Sequence, residues 1–144
     1  PAIDVIYEKS EGASNKVLMK SARVLLMDDE DLVREVTGKM LNFIGCEVDF
    51  ASDGEEAIEI YKEAVENNKN YDLVIMDLTV PGGMGGKETI KVLRAFDPNV
   101  TAIVSSGYST DEVMSDFKKY GFKGIIVKPY KIEDLSRVIN EIIQ

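Results

Sequence analysis

Three aspartates stand directly after hydrophobic runs, where a strand of a parallel sheet would deliver its side chains to a binding edge. Asp28 and Asp29 follow the run that ends at Met27, and Asp77 follows the run that ends at Met76. Crowded carboxylates repel one another unless a cation is present. Hard oxygen ligands of this number suit Mg²⁺, which shares its remaining positions with water and phosphate oxygens. These residues therefore predict a magnesium site.

Two later hydrophobic runs end in groups that complement carboxylates. Ser106 and Gly107 follow the fourth run, and Lys128 and Pro129 follow the fifth. A lysine point charge and a hydroxyl donor beside a metal ion are what a phosphoryl group needs around its oxygens during transfer. Asp77, which follows the central strand, is then the natural nucleophile.

Composition excludes several classes of protein. The chain has 144 residues, which is about one domain, and a net charge of −9, which argues against a nucleic-acid surface. It contains no histidine, so no imidazole can act as base, metal ligand or phosphate carrier. One cysteine, Cys46, permits no internal disulfide. Without a secretory signal or a long apolar run, a cytoplasmic domain with no membrane contact is expected.

Apolar runs alternate with helix-period segments, which predicts a parallel sheet with helices on both faces. The predicted strands are residues 24–27, 46–50, 73–76, 100–105 and 124–127. Residues 46–50 alternate apolar and polar side chains, so this strand is expected at a sheet edge. The fold class is α/β, a three-layer α/β/α sandwich whose five-stranded parallel sheet has the order 2-1-3-4-5. Ligands of such sheets bind beyond the carboxyl ends of the strands, where the polar residues above converge.

Local signals set the helix boundaries. Gly45 is expected to end the first helix, and Asp53 to cap the second. Ser109 with Glu112 should cap a short fourth helix that stops at Gly121. The first helix is predicted to pack against the core through an apolar stripe made of Leu32, Val33, Val36, Met40, Phe43 and Ile44.

Several residues near the site have a structural interpretation instead. Ser105 faces away from Ser106 by the strand period, and Cys46 is expected to be inert core. Capping of the first helix competes as an explanation of Asp28 and Asp29. The segment 82–87 fails as a phosphate-binding loop because Pro81 replaces its leading glycine and Glu88 its hydroxyl residue. Its glycines are interpreted as giving a mobile loop beside the site.

The chain resembles the receiver domain of two-component response regulators over about residues 22–143. Order and spacing carry the resemblance, in the motifs Asp28-Asp29, Asp77 with Pro81 four residues later, Ser106-Gly107 and Lys128-Pro129. It implies a flavodoxin-like topology in which Asp77 accepts a phosphoryl group from phosphohistidine on a histidine kinase or a histidine phosphotransfer domain. It also implies that the receiver domain catalyses its own phosphorylation and dephosphorylation without being a stand-alone turnover enzyme.

The resemblance assigns the remaining roles as well. Mg²⁺ would be held by Asp29, Asp77 and the backbone carbonyl of Thr79, with Asp28 assisting through water. Ser106 would move towards the phosphoryl oxygens and Lys128 would bind them. The Lys128-Pro129 peptide is expected to be cis. Phosphorylation would alter the face made by the fourth helix, the fifth strand and the last helix.

Departures from the family are also present. Ile125 stands where the family usually has an aromatic ring, which puts an aromatic switch in question. Tyr108 and Thr79 occupy positions that line the approach of attacking water and are expected to tune the lifetime of the phosphoryl group. The loop 79–86 is most similar to receivers of hybrid sensor histidine kinases. Residues 1–20 are expected to form a linker before a receiver domain at 21–144, in a chain cut from a longer protein.

Three other functions compete with a signalling switch. A haloacid-dehalogenase-like phosphatase would need an acid where Thr79 stands, and a cap domain. A flavin-binding electron carrier would need a hydroxyl-rich loop where residues 28–31 are acidic. A degenerate receiver used only for docking would lack key acids. Arg34, Glu35 and Lys39 of the first helix are expected to help choose the histidine-bearing partner, while homodimerisation stays open.

Overall fold

The computed structural model describes residues 21–107 and 112–143. Its sheet has five parallel strands in the order β2-β1-β3-β4-β5. The strands are β1 (Ala22–Met27), β2 (Cys46–Ala51), β3 (Leu73–Asp77), β4 (Ala102–Ser106) and β5 (Gly124–Val127). The predicted strand order is confirmed, with β2 at an edge. The expected linker at 1–20, Tyr108 and the Ser109 cap lie outside the described residues.

Helices cover both faces of the sheet. They are α1 (Asp31–Ile44), α2 (Gly54–Glu66), α3 (Gly86–Phe96), α4 (Glu112–Ser115), α5 (Phe117–Tyr120) and α6 (Ile132–Ile143). The single short helix predicted after β4 is divided in two, because Asp116 has φ −137° and ψ 51° and separates α4 from α5. Its predicted end at Gly121 is confirmed, since Gly121 caps α5 at φ 104°. In the part of the chain that the structure describes, no helix has the length and apolar character needed to span a bilayer.

Two hydrophobic layers flank the sheet. Val74 and Met76 of β3 face a core that includes residues of α2 and α3, whereas Leu73 and Ile75 face a core that includes residues of α1 and α6. Side chains alternate between the two faces along a strand. A side chain at the end of a strand therefore belongs to one layer or the other, according to its position in this alternation.

The apolar stripe predicted for α1 is wrong in part. Leu32, Val36 and Phe43 are 69%, 44% and 65% exposed. The residues that α1 buries are Thr37, Gly38, Leu41 and Ile44. A side chain on Gly38 would place its first carbon 2.6 Å from Cζ of Phe50, so α1 and β2 approach each other closely where the glycine lies. Hydrophobic periodicity did not indicate this inward face, because Thr37 and Gly38 contribute little hydrophobicity to it.

Other local predictions are confirmed. Gly45 ends α1 in the left-handed region at φ 114°, and its N–H donates to the carbonyls of Leu41 and Asn42. Asp53 caps α2, since Oδ1 accepts from the N–H of Glu56 at 2.9 Å. Cys46 is buried, and burial raises the pKa of its thiol to about 11, so it stays protonated at neutral pH.

Two glycines of the β3–α3 loop, Gly85 and Gly86, pack tightly against the end of β3, whereas no atom lies within 4 Å of the position that the first side-chain carbon would take at Gly82. The predicted mobility of this loop stays a prediction. A side chain on Gly85 would place its first carbon 2.3 Å from the carbonyl oxygen of Leu78. At Gly86 the corresponding distance to the carbonyl oxygen of Asp77 is 3.0 Å. The N–H of Gly86 donates to Leu78. These glycines let α3 begin directly against the end of β3.

Candidate active site

Three carboxylates meet beyond the carboxyl ends of β1 and β3. One oxygen from each of Asp28, Asp29 and Asp77, here called the acidic cluster, lies within 4.8 Å of the other two. Asp28 and Asp77 are buried and Asp29 is exposed. Hard oxygen donors that are partly accessible to solvent are the ligand set that Mg²⁺ prefers. The residues present therefore fit a magnesium ion.

The β1–α1 connection holds Asp28 in place. The N–H of Asp28 donates to the carbonyl of Ala51 at 3.0 Å, and Asp28 Oδ1 accepts from the N–H of Glu30 at 3.0 Å. Arg34 donates from Nη1 to the carbonyl oxygen of Asp28 at 2.6 Å. Its other nitrogen, Nη2, binds Asp31. The sequence predicted a partner-selecting role for Arg34 and did not predict its contact with Asp28. The three-residue spacing indicates only the ion pair with Asp31.

Asp77 ends the central strand in a setting that disfavours its charge. Burial, followed by repulsion from Asp28, raises the pKa of the Asp77 carboxyl from 3.8 to about 6. Lys128 and a hydrogen bond from the Thr79 backbone oppose this rise. A nucleophilic carboxylate in such a setting gains from a cation that offsets the repulsion.

Lys128 reaches the acidic cluster from the end of β5. Its Nζ lies 2.7 Å from Asp28 Oδ2 and 3.3 Å from Asp77 Oδ2. Burial alone would lower the pKa of Lys128, but the two carboxylates outweigh burial and raise it. The ammonium is therefore charged throughout the physiological pH range. The Lys128-Pro129 peptide is cis, as predicted.

The other predicted site residues lie at the same edge of the sheet. Ser106 is buried at the end of β4, where its carbonyl accepts from the N–H of Lys128 at 2.9 Å. Thr79 is exposed in the β3–α3 loop and lines a groove with Lys87 of α3 and Glu112 of α4. The structure thus assembles the acidic cluster and Lys128 in direct contact, with Ser106 and Thr79 beside them.

Position 125 carries no ring. Ile125 is partly buried and packs against the core on the side of α2 and α3. An aliphatic side chain there has no hydroxyl or ring face to exchange between inward and outward positions. The aromatic switch of similar proteins therefore has no counterpart at this position.

Comparisons with known proteins agree with this arrangement. A sequence model of the response regulator receiver domain matches residues 24–140. The chain belongs to this family. Chemotaxis protein CheY of Thermotoga maritima is 34% identical to this receiver domain over 121 residues, which are 83% of this chain and 96% of CheY. The structure of the response regulator TrrA from Thermotoga maritima, in complex with Mg²⁺ and BeF, is 31% identical with a TM-score of 0.72, and the match covers 86% of this chain and 99% of TrrA.

Other relatives are much longer. Sensor kinase CckA of Brucella abortus is 32% identical over 127 residues, which are 88% of this chain but 13% of CckA. The transcription factor SKN7 of Chaetomium thermophilum is 29% identical over 120 residues, which are 83% of this chain and 15% of SKN7. The receiver domain thus occurs alone in one relative and as a small part of others. Its two-component signalling family and its flavodoxin-like fold, with five parallel strands in the order 2-1-3-4-5, are established.

Proposed function

We propose that this receiver domain accepts a phosphoryl group on Asp77 from a phosphohistidine of a histidine kinase or a histidine phosphotransfer domain. A carboxylate oxygen of Asp77 forms the new bond to phosphorus, the bond from phosphorus to the imidazole nitrogen breaks, and that nitrogen keeps the electron pair and takes up a proton. The contact of Lys128 with Asp77 inside the acidic cluster is the observation that supports this most.

The residues of the site divide the work. Asp29, Asp77 and the backbone carbonyl of Thr79 would hold Mg²⁺, with Asp28 assisting. When bound, the ion would neutralise charge on the phosphoryl oxygens. Lys128 supplies a second positive charge and Ser106 a hydroxyl donor for the same oxygens. TrrA, whose structure contains Mg²⁺ and BeF, supports the assignment of the metal.

The apolar surface beside the site suits a helical donor. Leu32, Val36 and Met40 of α1 line a groove together with Lys128 and Tyr130. Their spacing of four residues forms a ridge of the kind that packs into another helix. Because Lys128 both lines the groove and contacts Asp77, a helix seated here would bring its histidine to the acidic cluster. Glu35 and Lys39 form an ion pair at 3.7 Å on another face of α1, outside the groove, and would contribute to the choice of partner.

The wider setting is proposed from the relatives. Residues 21–144 would form the receiver unit, preceded by a linker and carried in a hybrid sensor histidine kinase, as the similarity to CckA supports. The unit would act in the cytoplasm, where kinases supply phosphohistidine. The face of α4, α5, β5 and α6 would change on phosphorylation and select a downstream protein or the kinase core.

Intact-protein mass spectrometry after incubation with acetyl phosphate tests the proposal. Wild type should gain one phosphoryl group only when Mg²⁺ is present, and the adduct should be lost in base. Asp77→Asn should gain none, while Asp53→Asn, which changes a helix cap outside the acidic cluster, should behave as wild type. If the protein binds Mg²⁺ but gains no phosphoryl group from either acetyl phosphate or a phosphorylated histidine domain, it is a docking module instead.

A further inference from the structure

Three buried side-chain oxygens lack a hydrogen-bond partner among residues 21–107 and 112–143. They are Asp28 Oδ2, Ser105 Oγ and Tyr130 Oη. Asp28 and Ser105 are each 1% exposed. Asp28 Oδ2 has the ion pair with Lys128 but no hydrogen bond of good geometry. Buried polar groups are usually paired, and an exception requires an explanation.

All three oxygens lie around the acidic cluster. Ser105 is the register partner of Asp77 on β3, so the two side chains project from the same face of the sheet. Tyr130 follows Lys128 by two residues and packs against the core between the sheet and the layer of α1 and α6. Burial is the main cause that raises the pKa of Tyr130 to about 12. The adjacent Ser105 hydroxyl and the charge of Lys128 oppose this rise, whereas the charges of Asp28 and Asp77 add to it. The hydroxyl is therefore neutral and available as a donor.

Asp28 depends on Lys128 for its compensating charge. At 1% exposure, its carboxylate cannot turn to water when Lys128 shifts towards a phosphoryl group on Asp77. A buried carboxylate that loses its cation needs hydrogen-bond donors in its place. Tyr130, whose hydroxyl lies beside that of Ser105 and is acted on by the charge of Asp28, is the neighbouring group that has a donor to give.

We propose that Tyr130 is a positioning residue whose hydroxyl, supported by the adjacent hydroxyl of Ser105, donates to Asp28 when Lys128 turns to the phosphoryl group. This role rests on the function proposed above and adds two residues to it. The hydroxyls stabilise the arrangement in which Lys128 has left Asp28, and so they favour phosphorylation of Asp77. At rest neither hydroxyl is hydrogen-bonded to Asp28, which is paired with Lys128 instead.

A double-mutant cycle on urea unfolding tests the contact without any phosphoryl donor. In wild type, Tyr130→Phe should leave the urea midpoint unchanged or raise it, because the lost hydroxyl had no partner. In Lys128→Met, where Asp28 has no cation, the same substitution should lower the midpoint. Tyr61→Phe serves as the matched control, since its hydroxyl donates to Asp97 at 2.7 Å away from the cluster. It should lower the midpoint equally in both backgrounds.

The rate of phosphoryl uptake from acetyl phosphate tests the role. Tyr130→Phe should slow uptake about tenfold, as expected for loss of one hydrogen bond to a charged group, and Tyr61→Phe should not slow it. Equal rates for Tyr130→Phe and wild type, or the same midpoint change in both backgrounds, would overturn the role while leaving the proposed function intact. If wild type takes no phosphoryl group, the proposed function fails instead. In that case the different effect of Tyr130→Phe on the urea midpoint in wild type and in Lys128→Met still tests the contact between Tyr130 and Asp28.

Discussion

Lys128 lies closer to Asp28 than to Asp77, with its Nζ 2.7 Å from Asp28 Oδ2 and 3.3 Å from Asp77 Oδ2. Asp28 thus takes the larger share of the lysine charge, and the pKa of Asp77 stays raised at about 6 despite the nearby ammonium. The central carboxylate is left the less compensated of the two. This imbalance makes Asp77 the group that gains most from a bound cation and from a covalent change that spreads its charge.

Replacing Lys128 should separate phosphorylation from its conformational effect. Lys128→Ala should remain folded at 25 °C and still gain a phosphoryl group on Asp77, because the acidic cluster is retained. The group would then lack the ammonium that draws β5 towards it. Amide chemical shifts of β4 and β5, recorded before and after acetyl phosphate, should change in wild type and scarcely in the variant. Lys131→Ala, which alters an exposed lysine, is the control, and wild-type shift changes in Lys128→Ala would contradict the assignment.

Removing the charge of Asp77 should stabilise the fold at pH values above the pKa of its carboxyl, which is about 6. Because the folded-state pKa of about 6 exceeds the ordinary 3.8, wild type loses stability as the pH rises through this interval. Asp77→Asn should therefore unfold with a free energy ~1–3 kcal/mol higher than wild type at pH 7.5 in buffer without divalent ions. Below pH 3.8 the two proteins should converge. Urea unfolding at pH 3.5, 5 and 7.5 measures this, and a difference that is constant with pH would refute it.

The close approach at Gly85 predicts a steric cost. Gly85→Ala should lower the free energy of unfolding by ~1–3 kcal/mol, because the new methyl group would meet the backbone oxygen of Leu78 and force the loop to move. Gly107→Ala is the control, since no atom lies within 4 Å of the corresponding position. Thermal unfolding compares the two, and equal melting temperatures would show that the loop relaxes freely.

If the groove on α1 is the docking site, a substitution in it should slow phosphoryl transfer from a protein donor but not from a small-molecule donor. Leu32→Asp should slow transfer from a phosphorylated histidine domain at least tenfold, because it places a charge on the apolar ridge. Uptake from acetyl phosphate, which needs no docking, should stay at the wild-type rate. Phe43→Asp changes a residue that is also exposed but lies near the other end of α1, outside the groove. If both variants slow transfer equally, the groove is not the docking site.

The residues that assemble the site could be predicted because they follow strands. Asp28, Asp77 and Lys128 each follow an apolar run. This was enough to predict that they meet, since parallel strands all end at one edge of the sheet. The alternation in residues 46–50 was enough to place β2 outside. These signals depend on the backbone period and on topology, which tertiary packing does not alter.

The contacts that the sequence did not predict depend on tertiary packing. The inward face of α1 contains Thr37 and Gly38, which carry little hydrophobicity, and Gly38 lies close to the ring of Phe50. Arg34 binds a backbone carbonyl, which no sequence pattern specifies. Ser105 was expected to be structural, and only three-dimensional adjacency relates its hydroxyl to Tyr130.

Ser105 and Ser106 are consecutive residues of β4, yet the alternation of the strand turns them towards opposite helical layers. Any displacement at this end of β4 must therefore move a side chain in both layers at once. A single covalent event at the edge of the sheet can thus be sensed from either broad side of the molecule. Two proteins docked on opposite sides would respond together, without contact between them.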